Sequence, residues 1–244
     1  STDATAERLD AWARRDPRVV AHRNERNLGM TGNWNRCLAL ARGHFVIKLD
    51  ADDALRPRTL ELLAGALADP DVVGAGVRTL SCDPALEPFD GLPADDAMMQ
   101  AEIDPYGDQT LPCARWFEVA ARGHQLWHSC AVMSRRAELV AAGGWDERFG
   151  CASDTEVILR LLRKPGRFAH LAYVGVLYRL HPESVSALTL SPDGKRVAYF
   201  SDATGEYDLY VQPAEGGPAE RIPTGLKTAL SHLEWSPHGT KLLS

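Results

Sequence analysis

HFVIKLDADD, residues 44–53, runs from a β-prone apolar stretch straight into three carboxylates within four positions, Asp50, Asp52 and Asp53. In α/β sheets, ligands bind at the C-terminal ends of the strands, so functional side chains collect there. Three carboxylates this close repel one another and call for compensation. A divalent hard cation would supply it, because Mg²⁺ takes one or two carboxylates together with phosphate oxygens and water. The competing reading makes Asp52 or Asp53 a cap of the turn or helix before Arg56 and Pro57. On the triplet alone both readings stand.

The flanking sequence alternates helix and strand. Ala6, Leu9, Trp12 and Ala13 make a helical stripe within residues 3–14, and Arg18–His22 (RVVAH) reads as a short strand. Residues 31–42 read as a helix that Gly43 would end as a C′ residue. Phe45–Leu49 is the strand before the acidic triplet, and residues 57–68 form a helix opening on Pro57. Asp71–Leu80 is a further strand. Helix signals return at residues 112–122, 135–142 and 154–163, with strands near Ser129–Met133 and Phe168–Tyr173. This rhythm predicts an α/β fold with a mostly parallel sheet and helices on both faces. Ser81 to Leu111 is polar, acidic and proline-rich, a surface excursion of the length usually kept for function.

Bulk properties exclude more than they assign. A chain of 244 residues with 45% hydrophobic and 25% charged side chains has a globular composition. A net charge of −6 gives no reason to expect a nucleic-acid partner. No apolar run reaches the roughly 20 residues of an integral membrane segment. Cys37, Cys82, Cys113, Cys130 and Cys151 are odd in number and lack a C-x-x-C pair. That argues against a disulfide framework or zinc site and for a cytoplasmic protein, including one at the inner membrane's cytoplasmic face.

Several short motifs surround the triplet in a fixed order. Asn27-Leu28-Gly29, Asn33-Trp34-Asn35-Arg36-Cys37 and Ala41-Arg42-Gly43 precede it. Gly143-Gly144-Trp145-Asp146-Glu147 and Tyr178-Arg179-Leu180-His181, with Ser184 and Ser186, follow. In this order they resemble the family 2 glycosyltransferases of the GT-A (nucleotide-diphospho-sugar transferase, Rossmann-like) fold, over residues 1–186. Ser1-Thr2-Asp3-Ala4-Thr5 is similar to the end of that family's D-D-G-S-T-D-x-T element, which implies that the family's first strand and turn would precede Ser1.

The resemblance implies a metal-dependent, inverting transfer from a nucleotide-diphosphate sugar to an acceptor hydroxyl, the acceptor being a saccharide, a lipid-linked group or a protein. Asp50 and Asp52 would hold Mg²⁺ or Mn²⁺, and Asp53, Arg179 and His181 would join them at the donor diphosphate. Gly144 and Trp145 would face the acceptor, whose specificity would reside in residues 81–128. Asp154 matches the family's general base, although Ser153 stands where a Glu is expected. Ser153-x-x-Glu156 also reads as a capping box, with Asp154 in the first turn of the helix. Both readings can hold together. Trp34, Trp127 and Trp145 read as core aromatics, and His128 receives no role.

Past Ala187 the periodicity changes to short β segments: Leu188–Leu190, Arg196–Phe200, Tyr207–Gln212 and Glu220–Ile222. Ser191-Pro-Asp-Gly194-Lys195 recurs as Ser236-Pro-His-Gly239 and Lys241, 45 residues later. That period suits a four-stranded propeller blade, and the segment resembles the PD40-type repeats of TolB and tricorn-protease propellers. The expected organisation is therefore a transferase domain over 1–186 and a blade fragment over 187–244. The alternative is a non-catalytic interaction protein in which the propeller part supplies the binding surface, or a fragment of a propeller-containing protein.

Overall fold

The computed structural model describes residues 4–83, 85–88, 106–120, 126–179, 188–201, 207–214, 217–226, 234–236, 238 and 241–243. Among the described residues its first part holds the α-helices α1 (Thr5–Arg15), α2 (Gly29–Leu40), α3 (Thr59–Ala66), α4 (Cys113–Ala120), α5 (Arg136–Ala141) and α6 (Ser153–Leu162). These surround β1 (Phe45–Ile47), β2 (Ala54–Leu55), β3 (Val72–Cys82), β4 (Gln109–Pro112), β5 (Val132–Arg135) and β6 (Arg167–Arg179).

The sheet order is β1-β5-β3-β6-β2, with β4 also on β6. Only β3 and β6 pair in parallel; the other four contacts are antiparallel. The expectation of a mostly parallel sheet is corrected here, because alternating helices and strands constrain order but not the direction in which each strand enters. β5 runs antiparallel between β1 and β3, so β1, β3 and β6 still share one direction. Their C-terminal ends, and the start of β5, therefore lie along one edge of the sheet. The long β6 accepts both short antiparallel strands, β4 along Arg167–His170 and β2 at Val176–Leu177.

Side chains alternate across the sheet, as the pleat demands. Val46, Val132 and Phe168 turn to a core built with Leu38 of α2, Trp116 and Val119 of α4, Leu139 of α5 and Val157, Ile158, Leu161 and Leu162 of α6. Phe45, Met133 and Ala169 turn to the other face, against Leu63 of α3. Helices thus cover both faces, and Trp127 and Trp145 are core aromatics. The first face needs glycine in β3: a Cβ on Gly76 would meet the Trp127 indole at 2.6 Å.

Other differences from the sequence reading have local causes. Arg18–His22 forms no strand, because no described strand pairs with it, and Val20 is exposed. α1 buries none of its residues, leaving its stripe residues Leu9 and Trp12 in solvent. α2 ends at Leu40, where Ala41 turns extended at φ −63°, ψ 136°, so Gly43 is not its C′ residue. α3 begins two residues beyond Pro57, after Arg58 at φ 71°. Ser129–Ala131 is a 3₁₀ turn leading into β5 rather than part of it. Much of the expected 81–111 excursion lies outside the described residues.

The C-terminal part is an antiparallel meander, β7 (Leu188–Leu190), β8 (Arg196–Ser201), β9 (Tyr207–Pro213) and β10 (Glu220–Leu226), in the order β10-β9-β8-β7. β11 (Glu234–Trp235) and β12 (Leu242–Leu243) form a separate hairpin. The sequence repeat is also a geometric one. Ser191 N–H donates to Arg196 O at 2.8 Å and Ser236 N–H donates to Lys241 O at 2.8 Å. The return bonds match as well, Arg196 N–H to Ser191 Oγ at 2.9 Å and Lys241 N–H to Ser236 Oγ at 3.1 Å. Trp235 is buried under the Arg196 guanidinium, 4.6 Å from the ring centre.

Candidate active site

The acidic triplet lies just beyond β1, at the edge where β3 and β6 also end. Asp53 N–H closes a turn onto Asp50 O at 3.2 Å, which sends the chain into β2. The three carboxylates then part company. Asp50 Oδ2 pairs with Lys48 Nζ at 2.6 Å, and that ammonium is almost fully buried. It also lies 4.1 Å from the centre of the Trp34 ring, a cation–π distance. Lys48 and Asp50 are two residues apart in an extended segment, so they share a side of the chain.

Asp53 turns the other way and accepts the backbone N–H of Arg179 at 3.1 Å, across 126 residues. The Asp53 carboxylate therefore ties the turn to the end of β6 and does not cap a helix at Arg56. Burial pushes the Asp53 carboxyl above the usual carboxylate range, against the opposing effect of the Arg179 N–H and the Cys130 thiol. The Cys130 thiol, buried and facing Asp53, is held well above its ordinary value. Asp53 Oδ2 is buried without a hydrogen-bond partner. Asp52 is half-buried.

Asp154 opens α6. Its Oδ1 accepts Thr155 N–H at 2.7 Å, and its Oδ2 accepts the Ser129 hydroxyl at 3.3 Å. The expected capping box does not form as written. Glu156 reaches forward to Arg160 with both oxygens, and the Ser153 hydroxyl meets Thr31 Oγ1 of α2 at 3.1 Å. An i,i+4 carboxylate–guanidinium pair is available inside the helix, and it takes the carboxylate that a box would need.

Gly144 and Trp145 are both buried, with Gly144 at φ 70° and Trp145 packed among core residues. In this state neither offers a face to an acceptor. Their turn is fastened from two sides: Asn35 binds both polar atoms of the Trp145 backbone, and Arg160 donates to Gly144 O at 2.9 Å. Arg148 beside Asp146 holds that carboxyl below its ordinary range. The Trp34 and Trp145 rings lie 6.0 Å apart, which links this turn to Lys48.

One small cavity joins the parts. Lys48, Ser129, Trp145 and Ile158 line it, and it has room for about one water. Asp50 and Asp154 are thus connected through Lys48, the cavity wall and Ser129. At the far end His128 stacks on Tyr178, rings 4.5 Å apart and 16° from parallel. The arrangement joins Asp50, Asp53, Trp145, Asp154 and Arg179, while His181 lies outside the described residues. Lys48, Ser129 and Cys130 were not singled out from sequence. Lys48 carried a signal, a cation two positions before the first Asp on a strand. Ser129 and Cys130 carried none.

A cation is compatible with this donor set, though not as a preformed cage. Among the described residues no group of three or more His, Cys, Asp and Glu could hold a metal ion. Mg²⁺ asks for fewer protein ligands, one or two carboxylates with phosphate and water. Asp50 and Asp52, only partly buried, are the carboxylates that such a site would use.

Residues 1–101 match the family described as Glycosyl transferase family 2. The uncharacterized glycosyltransferase MJ1057 of Methanocaldococcus jannaschii is 38% identical over 53 residues, covering 22% of this chain and 18% of that protein. The S. aureus TarS 1–349 structure in complex with UDP-GlcNAc superposes with a TM-score of 0.57 at 19% identity, covering 79% of this chain. TarS 1–349 in complex with UDP gives 0.55 at 18% identity, covering 75%. The chain spans about half of those TarS structures, 51% and 49%. Among the described residues, no helix is long and apolar enough to cross a membrane. Residues 1–101 are thus similar to the glycosyl transferase family 2, and the chain adopts a mixed α/β fold similar to that of TarS.

Proposed function

We propose that the chain transfers a glycosyl group from a nucleoside-diphosphate sugar to an acceptor hydroxyl, with inversion at the anomeric carbon. The observation that carries this reading is the joining of Asp50 and Asp154 through Lys48, the small cavity and Ser129 at the edge where β1 and β6 end. In this reading Asp154 takes the proton from the acceptor hydroxyl. The acceptor oxygen then bonds to the anomeric carbon as the bond from that carbon to the diphosphate oxygen breaks on the opposite face. Asp53, Arg179 and His181 frame the diphosphate, and Lys48 neutralises Asp50. Gly144 and Trp145 shape the acceptor side from beneath. When bound at Asp50 and Asp52, Mg²⁺ or Mn²⁺ would supply Lewis acidity to the leaving diphosphate. The likeness to TarS, whose structures contain UDP and UDP-GlcNAc, makes UDP-sugars the first donors to test.

We assign the transferase to residues 1–186 and a PD40-like propeller repeat to residues 187–244. The matching hydrogen bonds of the Ser191 and Ser236 turns support the repeat. The same observation favours a second reading, in which the C-terminal part is a binding surface and the transferase part a scaffold. The cysteine pattern supports a cytoplasmic setting.

Release of UDP from UDP-GlcNAc, with Mn²⁺ present, separates the two readings. The parent chain is expected to turn over donor, and Asp52→Asn and Asp154→Asn are expected to lower kcat by about 10²-fold or more. If the Asp52→Asn variant matches the parent, the acidic turn is not the donor site.

A further inference from the structure

We propose that Ser129 is a positioning residue for Asp154, held in aim by the short turn His128–Ala131. The inference rests on the reading of Asp154 as the base. Three consecutive side chains of this turn engage three different parts of the site. His128 stacks on Tyr178, whose neighbour Arg179 binds Asp53 through its backbone. Ser129 donates to Asp154 Oδ2 at 3.3 Å. The Cys130 thiol faces Asp53 from a buried position. Ala131 N–H closes the turn onto His128 O at 2.9 Å.

The consequence is directional. A carboxylate at the start of a helix rotates about its side-chain torsions unless both oxygens are engaged. Thr155 takes Oδ1, through its backbone N–H at 2.7 Å and its hydroxyl at 3.4 Å. Ser129 takes Oδ2, and Ser129 is itself buried. Its neighbours on both sides are anchored, so its hydroxyl has little freedom to turn away. A single long bond from a neutral hydroxyl orients a carboxylate while withdrawing little basicity, which is what a general base requires. The same turn reaches Asp53, so the base and the acidic turn are fixed by one piece of backbone.

The test uses the full chain, with UDP-GlcNAc hydrolysis for turnover and UDP with Mn²⁺ for binding. Ser129→Ala is expected to lower kcat about tenfold, because a small misplacement of a reacting group costs that much or more. The Kd for UDP should stay at the parent value, and Ser129→Thr, which restores the hydroxyl, should recover most of kcat. If Ser129→Ala turns over like the parent, the inference is overturned. It is also overturned if Ser129→Thr is as slow as Ser129→Ala. Should Ser129→Ala lose UDP binding through unfolding, Ser129→Cys replaces it, a weaker donor of similar size, and its kcat must fall in the same way. Asp154→Asn separates the levels. A fully active Asp154→Asn removes the base reading itself, whereas an inactive one beside a parent-like Ser129→Ala removes only the positioning role.

Discussion

Asn35 holds α2 against the Gly144–Trp145 turn with both ends of its amide. Nδ2 donates to Trp145 O at 2.7 Å, and Oδ1 accepts Trp145 N–H at 2.9 Å. Asn35→Asp keeps the acceptor but sets a carboxylate oxygen against a carbonyl oxygen. We expect a loss of about 2 kcal/mol, the scale of one bond removed and one partly buried acceptor left unpaired. Urea denaturation of parent and variant measures it, and equal midpoints would show that the amide pair contributes nothing. This residue also marks what sequence can disclose. The Asn-bearing helix and the G-G-W-D-E turn were both visible as motifs, each a local pattern of residue types. The contact between them spans 110 residues and has no local signal. The acidic turn divides in the same manner. Its three carboxylates were legible, but their separate destinies at Lys48 and at Arg179 N–H depended on which strands end beside them.

At the scale of elements, strand order and strand direction were unequally legible. Apolar runs located β1 and β3 to within two residues and the first half of β6, whose stretch from Val174 to Arg179 was not read as strand, because burial imposes its pattern on composition. Direction imposes no pattern on composition, so the antiparallel entry of β5 escaped, and with it the placement of Ser129 at the site. β3 shows a related limit. Gly74 and Gly76 break its run of branched residues, and in sequence they read only as weak points in a strand. In the sheet they leave room for Phe168 and Trp127 to lie against the backbone, where a Cβ would come to 2.5 Å and 2.6 Å. Gly76→Ala should therefore cost about 1–3 kcal/mol, the usual range for overpacking a filled core. Trp127 also donates its indole N–H to His170 Nδ1 at 3.1 Å, so displacing the ring should change the tryptophan emission as well. An alanine variant with parental stability and emission would mean that the ring moves aside freely.

At the scale of the whole molecule, among the described residues, the two buried clusters draw on residues from Leu38 to Val176 and on none in the C-terminal sheet. Every described site residue likewise precedes Leu180. The C-terminal meander has its own small interior, with Ala198, Asp208 and Trp235 buried and Asp208 paired with Arg221 at 2.6 Å. A small open sheet of this kind is marginal unless further strands or repeats cover it. The stability of the first part should then be independent of the second. A chain ending at residue 186 is expected to keep the main thermal transition of the full chain to within about 3 °C, the shift of one kcal/mol at this size. It should also bind UDP with unchanged affinity. In the full chain, loss of the C-terminal sheet should appear as an additional, earlier transition, absent from the shortened form. A single transition in the full chain, together with a fall of the shortened form's Tm by about 10 °C or more, would show that the two parts fold as one cooperative body.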